Sequence, residues 1–435
     1  MSQLAIARDL VKLGRIQEAA ALMLTFARQV LELDCTEVKL TPDGYSLNSL
    51  NGILSLGTPF EGQTKLFFKY HQEEDESKGV AEYYNSKLLE DAGLPVDVPL
   101  AARHNPGEQI LLYRVRTDPR LADVCRAIEH GQAAGFTAEE TIQAQRDLDI
   151  AVGKKYLETL TTAPREKPAA EPLHQLFYLR LVDDPNADAP VSGGRLKSFY
   201  VGKDFAFPGL EKPLSWAELA NLRWCINGVT YTHTLGELFA EAMVLLAPRE
   251  LPDPCPVVLG HGDAHNANLW IERDSAGSAR LAFFDPAFAG AALPALLAEI
   301  KPTFHNIFAH PDWLYHSSEV TQRYQTRAEV RDGVLHVHHD WKLNALRAEF
   351  LATKVTHVWK PLLAEIKAQG LLPADWERYI RLALFCCPTL VMNLRAGADR
   401  HNPVSSVVGL SIAMMCGSAG DTEDVMSQFI ADITP

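Results

Sequence analysis

The sequence predicts an α+β protein in which strand-like runs dominate the first third and amphipathic helices close the chain. Three observations carry that expectation. Residues 64–70 (Thr-Lys-Leu-Phe-Phe-Lys-Tyr) and 109–115 (Gln-Ile-Leu-Leu-Tyr-Arg-Val) are rich in the branched and aromatic residues that suit a pleated surface. Residues 267–271 and 279–284 are two further β-like runs separated by Asp274-Ser275-Ala276-Gly277-Ser278, which has the composition of a turn. From residue 343 onward, apolar residues recur mainly at intervals of three and four, the spacing of a helix face.

In chain order, residues 3–34 read as helical, with Ile16, Ala20, Met23, Phe26, Val30 and Leu33 on one stripe. Packing on the following sheet is the commoner role for such an added helical cap, ahead of a partner surface. Residues 78–91 form a second helix with Val80, Tyr84, Leu88 and Leu89 assigned to its apolar face, closed by Gly93 and Pro95. Residues 161–172, rich in Pro, Ala and charge, read as a loop or linker, and residues 183–194 as an irregular insertion suited to a lid or to a tolerated surface loop. Arg331-Asp332-Gly333 marks a hairpin within 326–341, whose His336, His338 and His339 alternate too loosely for a zinc site. The closing helices are expected over 343–367, with Pro361 kinking or dividing the first, then over 379–395 and 404–416. Asn393, Arg395, Asp399 and Arg400 serve equally well as substrate contacts or as ordinary caps and surface pairs.

Composition bounds the function. The chain has 435 residues, 47% hydrophobic and 22% charged, enough to bury large cores in two lobes. A net charge of −14 disfavours a general nucleic-acid binder, and it suits a cationic substrate slightly better than an anionic one. The seven cysteines show neither metal spacing nor a dense disulfide pattern, and the Cys386-Cys387 pair in an apolar run reads as packing. No run reaches membrane-spanning length and the first residues lack a signal-peptide core, so a cytoplasmic protein without membrane partners is expected.

The chemistry concentrates in His261-Gly262-Asp263-Ala264-His265-Asn266-Ala267-Asn268, followed one hairpin later by Phe284-Asp285-Pro286. An aspartate that accepts a hydroxyl proton, an amide oxygen five residues on and a second carboxylate at a strand end form the set that phosphoryl transfer requires. Magnesium favours such a mixture of few protein oxygens with phosphates and water. Gly262-Asp263-Ala264-His265 also fits a metallophosphoesterase, but that class needs an upstream Asp-x-His, and no convincing one is found. His265 and His261 read as braces of the loop backbone ahead of ligands or chemical participants.

These residues resemble the aminoglycoside phosphotransferase and choline kinase superfamily, and Asp285-Pro286-Ala287 is also similar to fructosamine kinases. The resemblance implies a two-lobed protein-kinase-like fold, with a small β-rich N-terminal lobe and a larger, mainly helical C-terminal lobe. The expected division is an N-terminal helical extension over 1–35, a small nucleotide-binding lobe over 36–117 and a large catalytic and substrate-binding lobe over 118–435, with an insertion around 160–215. Asp263 becomes the catalytic base, and Asn268 and Asp285 the magnesium ligands. Lys69, with Lys65 as competitor, becomes the cation for the nucleotide phosphates, and Glu82 its helix partner. Ser49, Asn51 and Gly52 fall in the polar loop and second strand that cover the nucleotide, with Gly52 allowing close backbone approach. Backbone groups from Tyr113 to Val115 would meet the purine edge at an interlobe hinge. The implied activity is transfer of the terminal phosphoryl of ATP or GTP to a hydroxyl of a small metabolite or antibiotic-like acceptor. The alternatives are a protein kinase or nucleotidyl transferase on the same fold, or a nucleotide-binding pseudokinase scaffold. One departure from the family pattern is the stretch 291–297, Ala-Ala-Leu-Pro-Ala-Leu-Leu, where many relatives carry an acidic residue.

Overall fold

A computed structural model describes residues 2–41, 49–71, 78–309 and 311–435 of the chain, without the side chains of Ser49, His71, Lys78–Glu82 and Pro311. The fold is α+β, and the chain divides into two compact units, one of residues 1–119 with 282–287 and one of residues 120–281 with 288–435.

The first unit is built on a five-stranded antiparallel sheet. Its strands are β1 (Cys35–Leu40), β2 (Ser49–Phe60), β3 (Gln63–His71), β4 (Ala101–Arg103) and β5 (Ile110–Arg114), in the order β1-β2-β3-β5-β4. Two helices, α1 (Gln3–Lys12) and α2 (Ile16–Gln29), precede it, and α3 (Lys78–Asp91) joins β3 to β4. Ser2 caps α1 by accepting from Ala5 N, and Gly14 at φ +74° separates the first two helices. Strands β2 and β3 turn through Glu61 and Gly62, both at positive φ, a geometry whose twist matches that of the strands it joins. Alternation along β3 then sorts the side chains: Leu66, Phe68 and Tyr70 are buried against Leu4, Met23 and Phe26 from the helices, while Lys65, Phe67 and Lys69 take the opposite face. The N-terminal helices are thus part of this core.

One expectation fails here for packing reasons. Tyr84, assigned to the apolar face of α3, is 59% exposed, while Leu89 is fully buried with Ser86. Tyr84 instead stacks on His104. Gly52 sits inside the sheet, where an added Cβ would lie 2.7 Å from both Lys39 O and the Phe68 ring, so sheet packing already requires this glycine.

The second unit starts with α4 (Leu121–Glu129) and α5 (Ala138–Thr159), the latter opened by a capping box between Thr137 and Glu140. Residues 161–172 are not the expected linker. They begin with β6 (Thr161–Ala163), which pairs with the strand Cys255–Gly260, and that strand pairs on its other side with Gly290–Pro294. The 183–194 stretch is pinned at its base, where Asp183 N donates to Val191 O and Gly193 N to Leu181 O. The predicted hairpin within 326–341 forms between Thr326–Arg331 and Val334–His339, and the second of these strands runs parallel to Arg223–Ile226. Closing helices span Ala345–Lys354, Lys360–Ala368, Trp376–Val391, Pro403–Gly417 and Val425–Ile433. The first two are separated by a π-turn, Val355–Trp359, and Pro361 stands in the first turn of the second. Asp399, one of the ambiguous polar residues, accepts from Asn393 N as a loop brace. Among the described residues no helix is long and apolar enough to cross a membrane, and no group of three His, Cys, Asp or Glu side chains is arranged to hold a metal.

Candidate active site

Two constellations hold the residues singled out by the sequence, one in each unit. In the first unit, Lys69 on β3 is in register with Asn51 on β2 and Leu111 on β5. Directly opposed residues of a sheet share a face, so Lys69 and Asn51 stand side by side. Lys69 Nζ donates to Asp285 Oδ1 at 2.6 Å, and its side chain is 14% exposed. Lys65 is exposed. Of the two candidate lysines, it is therefore Lys69 that meets the strand-end carboxylate. Glu82, its expected partner, lies in α3 with its side chain outside the described residues, as does the side chain of Ser49.

The segment bearing Asp285 is fixed by backbone bonds within this unit. Phe283 N donates to Pro95 O, Asp97 N donates to Phe283 O, and Asn85 Nδ2 on α3 donates to Pro286 O at 2.9 Å. Asp285 itself takes φ +56°, a left-handed conformation disfavoured for a residue with a Cβ. Tyr113 lies within β5, buried and in register with Phe67 at 6.4 Å between ring centroids, and Val115 is the first residue past the strand.

In the second unit, the middle strand of the three-stranded sheet ends at Gly260 and releases the 261–268 loop. The loop folds tightly because its backbone is bonded at each step. Gly262, at φ +77°, approaches Phe288 O so closely that a Cβ would lie 2.5 Å from that oxygen. His261 is buried and its Nδ1 accepts from Asp263 N at 3.3 Å, while His265 Nδ1 accepts from Ala267 N at 3.2 Å. Both histidines brace the backbone, as their positions suggested. Asn268 Nδ2 donates to Asp263 O at 3.0 Å, which leaves the amide oxygen as the atom able to ligate a cation.

The Asp263 carboxylate is 13% exposed, and Oδ1 makes no hydrogen bond among the described residues. Its neighbours are the His265 ring, whose Nε2 lies 3.8 Å from Oδ2, and the Lys301 ammonium, whose Nζ lies 3.8 Å from Oδ1. Lys301 was not found by sequence reasoning. It stands on the short helix Ile300–Thr303, is 3% exposed, and donates to His305 Nε2 at 2.9 Å; His305 Nδ1 in turn meets Tyr315 Oη at 2.9 Å. A neutral imidazole with its proton on Nδ1 satisfies both contacts. Burial, reinforced by the neighbouring Lys301, holds the His305 ring well below the ordinary histidine range. Burial also pushes the Lys301 ammonium down, against the opposing pull of Asp263.

The acidic residue missing from 291–297 has a counterpart two positions later, but its role is different. Glu299 is buried and its carboxylate binds Lys354 Nζ at 2.5 Å and Tyr156 Oη at 2.8 Å, so it belongs to a structural network.

The chain is similar to aminoglycoside phosphotransferase structures. A spectinomycin phosphotransferase, APH(9)-Ia, in complex with ADP and spectinomycin, shares 10% identity over 91% of this chain and 98% of that one, with a TM-score of 0.36. The aminoglycoside phosphotransferase APH(3'')-Id from Streptomyces rimosus shares 14% identity over 84% of this chain and 97% of that one, with a TM-score of 0.38. No protein-family model and no curated protein matches the sequence.

Proposed function

We propose that this protein transfers the terminal phosphoryl group of a nucleoside triphosphate, ATP or GTP, to a hydroxyl of a small-molecule acceptor. One observation carries the reading. The 261–268 loop folds so that Asn268 closes back on Asp263, and among the described residues the aspartate keeps a carboxylate oxygen free of hydrogen bonds in a nearly buried position. That oxygen is placed to accept a proton, and a buried acceptor without a donor is disfavoured unless a ligand supplies one.

Asp263 orients the acceptor hydroxyl and takes its proton. Lys69 positions the nucleotide phosphates, with Glu82 as its second partner. The donor set suits magnesium, since Asp285 offers a carboxylate and Asn268 an amide oxygen, and the remaining positions fall to phosphate oxygens and water. When bound, the ion neutralises charge on the phosphates. Positioning and charge neutralisation account for most of the acceleration in this chemistry. The protein is a cytoplasmic enzyme in this reading, with aminoglycosides, amino alcohols, sugars and fructosamines as the first acceptors to try.

The test is a mass-spectrometric search for phosphorylated products across those acceptor classes, with magnesium and ATP or GTP, using Asp263→Asn as the blank. Product formed by the native chain and absent from the blank supports the reading. Nucleotide binding with no transfer to any acceptor supports a scaffold instead, and label entering protein supports a protein kinase.

A further inference from the structure

We propose that Lys301 is the receptor for an anionic oxygen beside Asp263, belonging either to the phosphoryl group in transfer or to a carboxylate or phosphate on the acceptor. The assignment of that oxygen to phosphoryl transfer rests on the function proposed above; the anion site itself stands on its own geometry.

Burying an ammonium is strongly unfavourable unless opposite charge and hydrogen bonds compensate it. Lys354 shows full compensation in the same unit: its Nζ contacts Asp149 Oδ1 and Glu299 Oε1, each at 2.5 Å. Lys301 is buried to the same degree but has one hydrogen bond among the described residues, to the uncharged His305 ring. Its nearest carboxylate, Asp263, is 3.8 Å away, beyond hydrogen-bonding distance. An ammonium has three donors, so Lys301 has donors to spare.

The surroundings add positive charge. Arg180 and Arg195 both act on Lys301 as further cations, and both are tied to the end of the Trp376–Val391 helix through Leu390 O, at 3.3 and 2.8 Å. Among the described residues, Asp263 is the carboxylate at ion-pair range of Lys301, and Asp399 acts on Arg195. A cationic acceptor group would be repelled here, whereas an oxyanion supplies the missing charge and accepts the unused donors. The acidic whole-chain balance, which slightly favours a cationic acceptor, does not extend to this site.

The probe is inorganic phosphate, titrated calorimetrically into the full chain as native protein, Lys301→Met and Lys301→Arg. Loss of a charged hydrogen bond should weaken binding roughly tenfold or more in Lys301→Met, with most of it restored in Lys301→Arg. A second measurement on the native chain covers the case in which Lys301→Met fails to fold: acylation of Lys301 by acetic anhydride, read by peptide mass spectrometry, should slow in the presence of phosphate. A non-hydrolysable triphosphate with magnesium then identifies the source. Displacement of phosphate assigns the oxygen to the transferring group, and simultaneous binding assigns it to the acceptor. Equal phosphate affinity in native protein and Lys301→Met, or Lys301 acylation indifferent to phosphate, overturns the proposal. Asp263→Asn separates the two readings, because it should lower transfer at least about 10²-fold while phosphate binds at least as tightly as to the native chain.

Discussion

Lys354 and Lys301 are both buried in the larger unit, at 3% exposure each, yet they occupy opposite electrostatic situations. Burial opposes the charge on Lys354, but Asp149 and Glu299 overcome it and raise the group above its ordinary value. Thr353 Oγ1 also donates to Asp149 Oδ2, and Tyr156 Oη to Glu299 Oε2, so the carboxylates are further satisfied. Such a network ties α5 to the Ala345–Lys354 helix and sets two carboxylates against one ammonium. Around Lys301 the same burial meets one distant carboxylate and a neutral ring. The difference teaches that a buried charge signals function by how incompletely the protein compensates it.

The largest effect that could break this comparison is on stability. Lys354→Met removes the cation from two buried carboxylates and should lower unfolding free energy by about 3–5 kcal/mol, measured by urea denaturation. Lys301→Met leaves behind no comparable close pair and should shift stability by only about 1 kcal/mol in either direction. Equal losses in the two variants would remove the distinction. The next effect is on chemistry: Asp263→Asn should lower turnover by about 10²–10⁴-fold with nucleotide affinity retained. Lys69→Met should weaken nucleotide binding by roughly 10–100-fold, from loss of one charge-assisted contact, in equilibrium titrations with magnesium present.

The smallest expected effect is on acid stability. Burial lowers the His401 ring to about 4 from 6.5, with Asp399 opposing. The unfolded chain therefore takes up this proton first as the pH falls, and the contribution present above pH 6.5 is lost progressively toward pH 4. By pH 5 the loss should reach about 1–2 kcal/mol. His401→Gln should flatten the fall in melting temperature across that window, and an unchanged slope would assign the acid sensitivity to other groups.

How far the sequence foretells the site follows from where its constraints lie. The 261–268 loop is legible because the chemistry fixes both residue types and their spacing, and Gly262 stands where a Cβ would strike Phe288 O. Lys69 is legible because strict alternation places Leu66, Phe68 and Tyr70 in the core, leaving the lysine on the other face. Lys301 carries no such signal. It follows Asp263 at a distance, on a four-residue helix too short for periodicity, and its importance comes from burial, which spacing does not encode. Tyr84 misleads for a related reason: α3 is only weakly amphipathic, so a helical stripe fits several faces and the stacking on His104 decides. The strand Thr161–Ala163 was missed because three residues between charged and proline-containing segments give no alternation to read, and only its pairing with Cys255–Val257 defines it.

Product formation compared between the native chain and Asp263→Asn tests the central claim most directly, using magnesium, a nucleoside triphosphate and an acceptor identified in the screen. The account predicts a phosphorylated acceptor from the native protein and a rate at least about 10²-fold lower from the variant, at unchanged nucleotide affinity. Equal rates from the two proteins would contradict it.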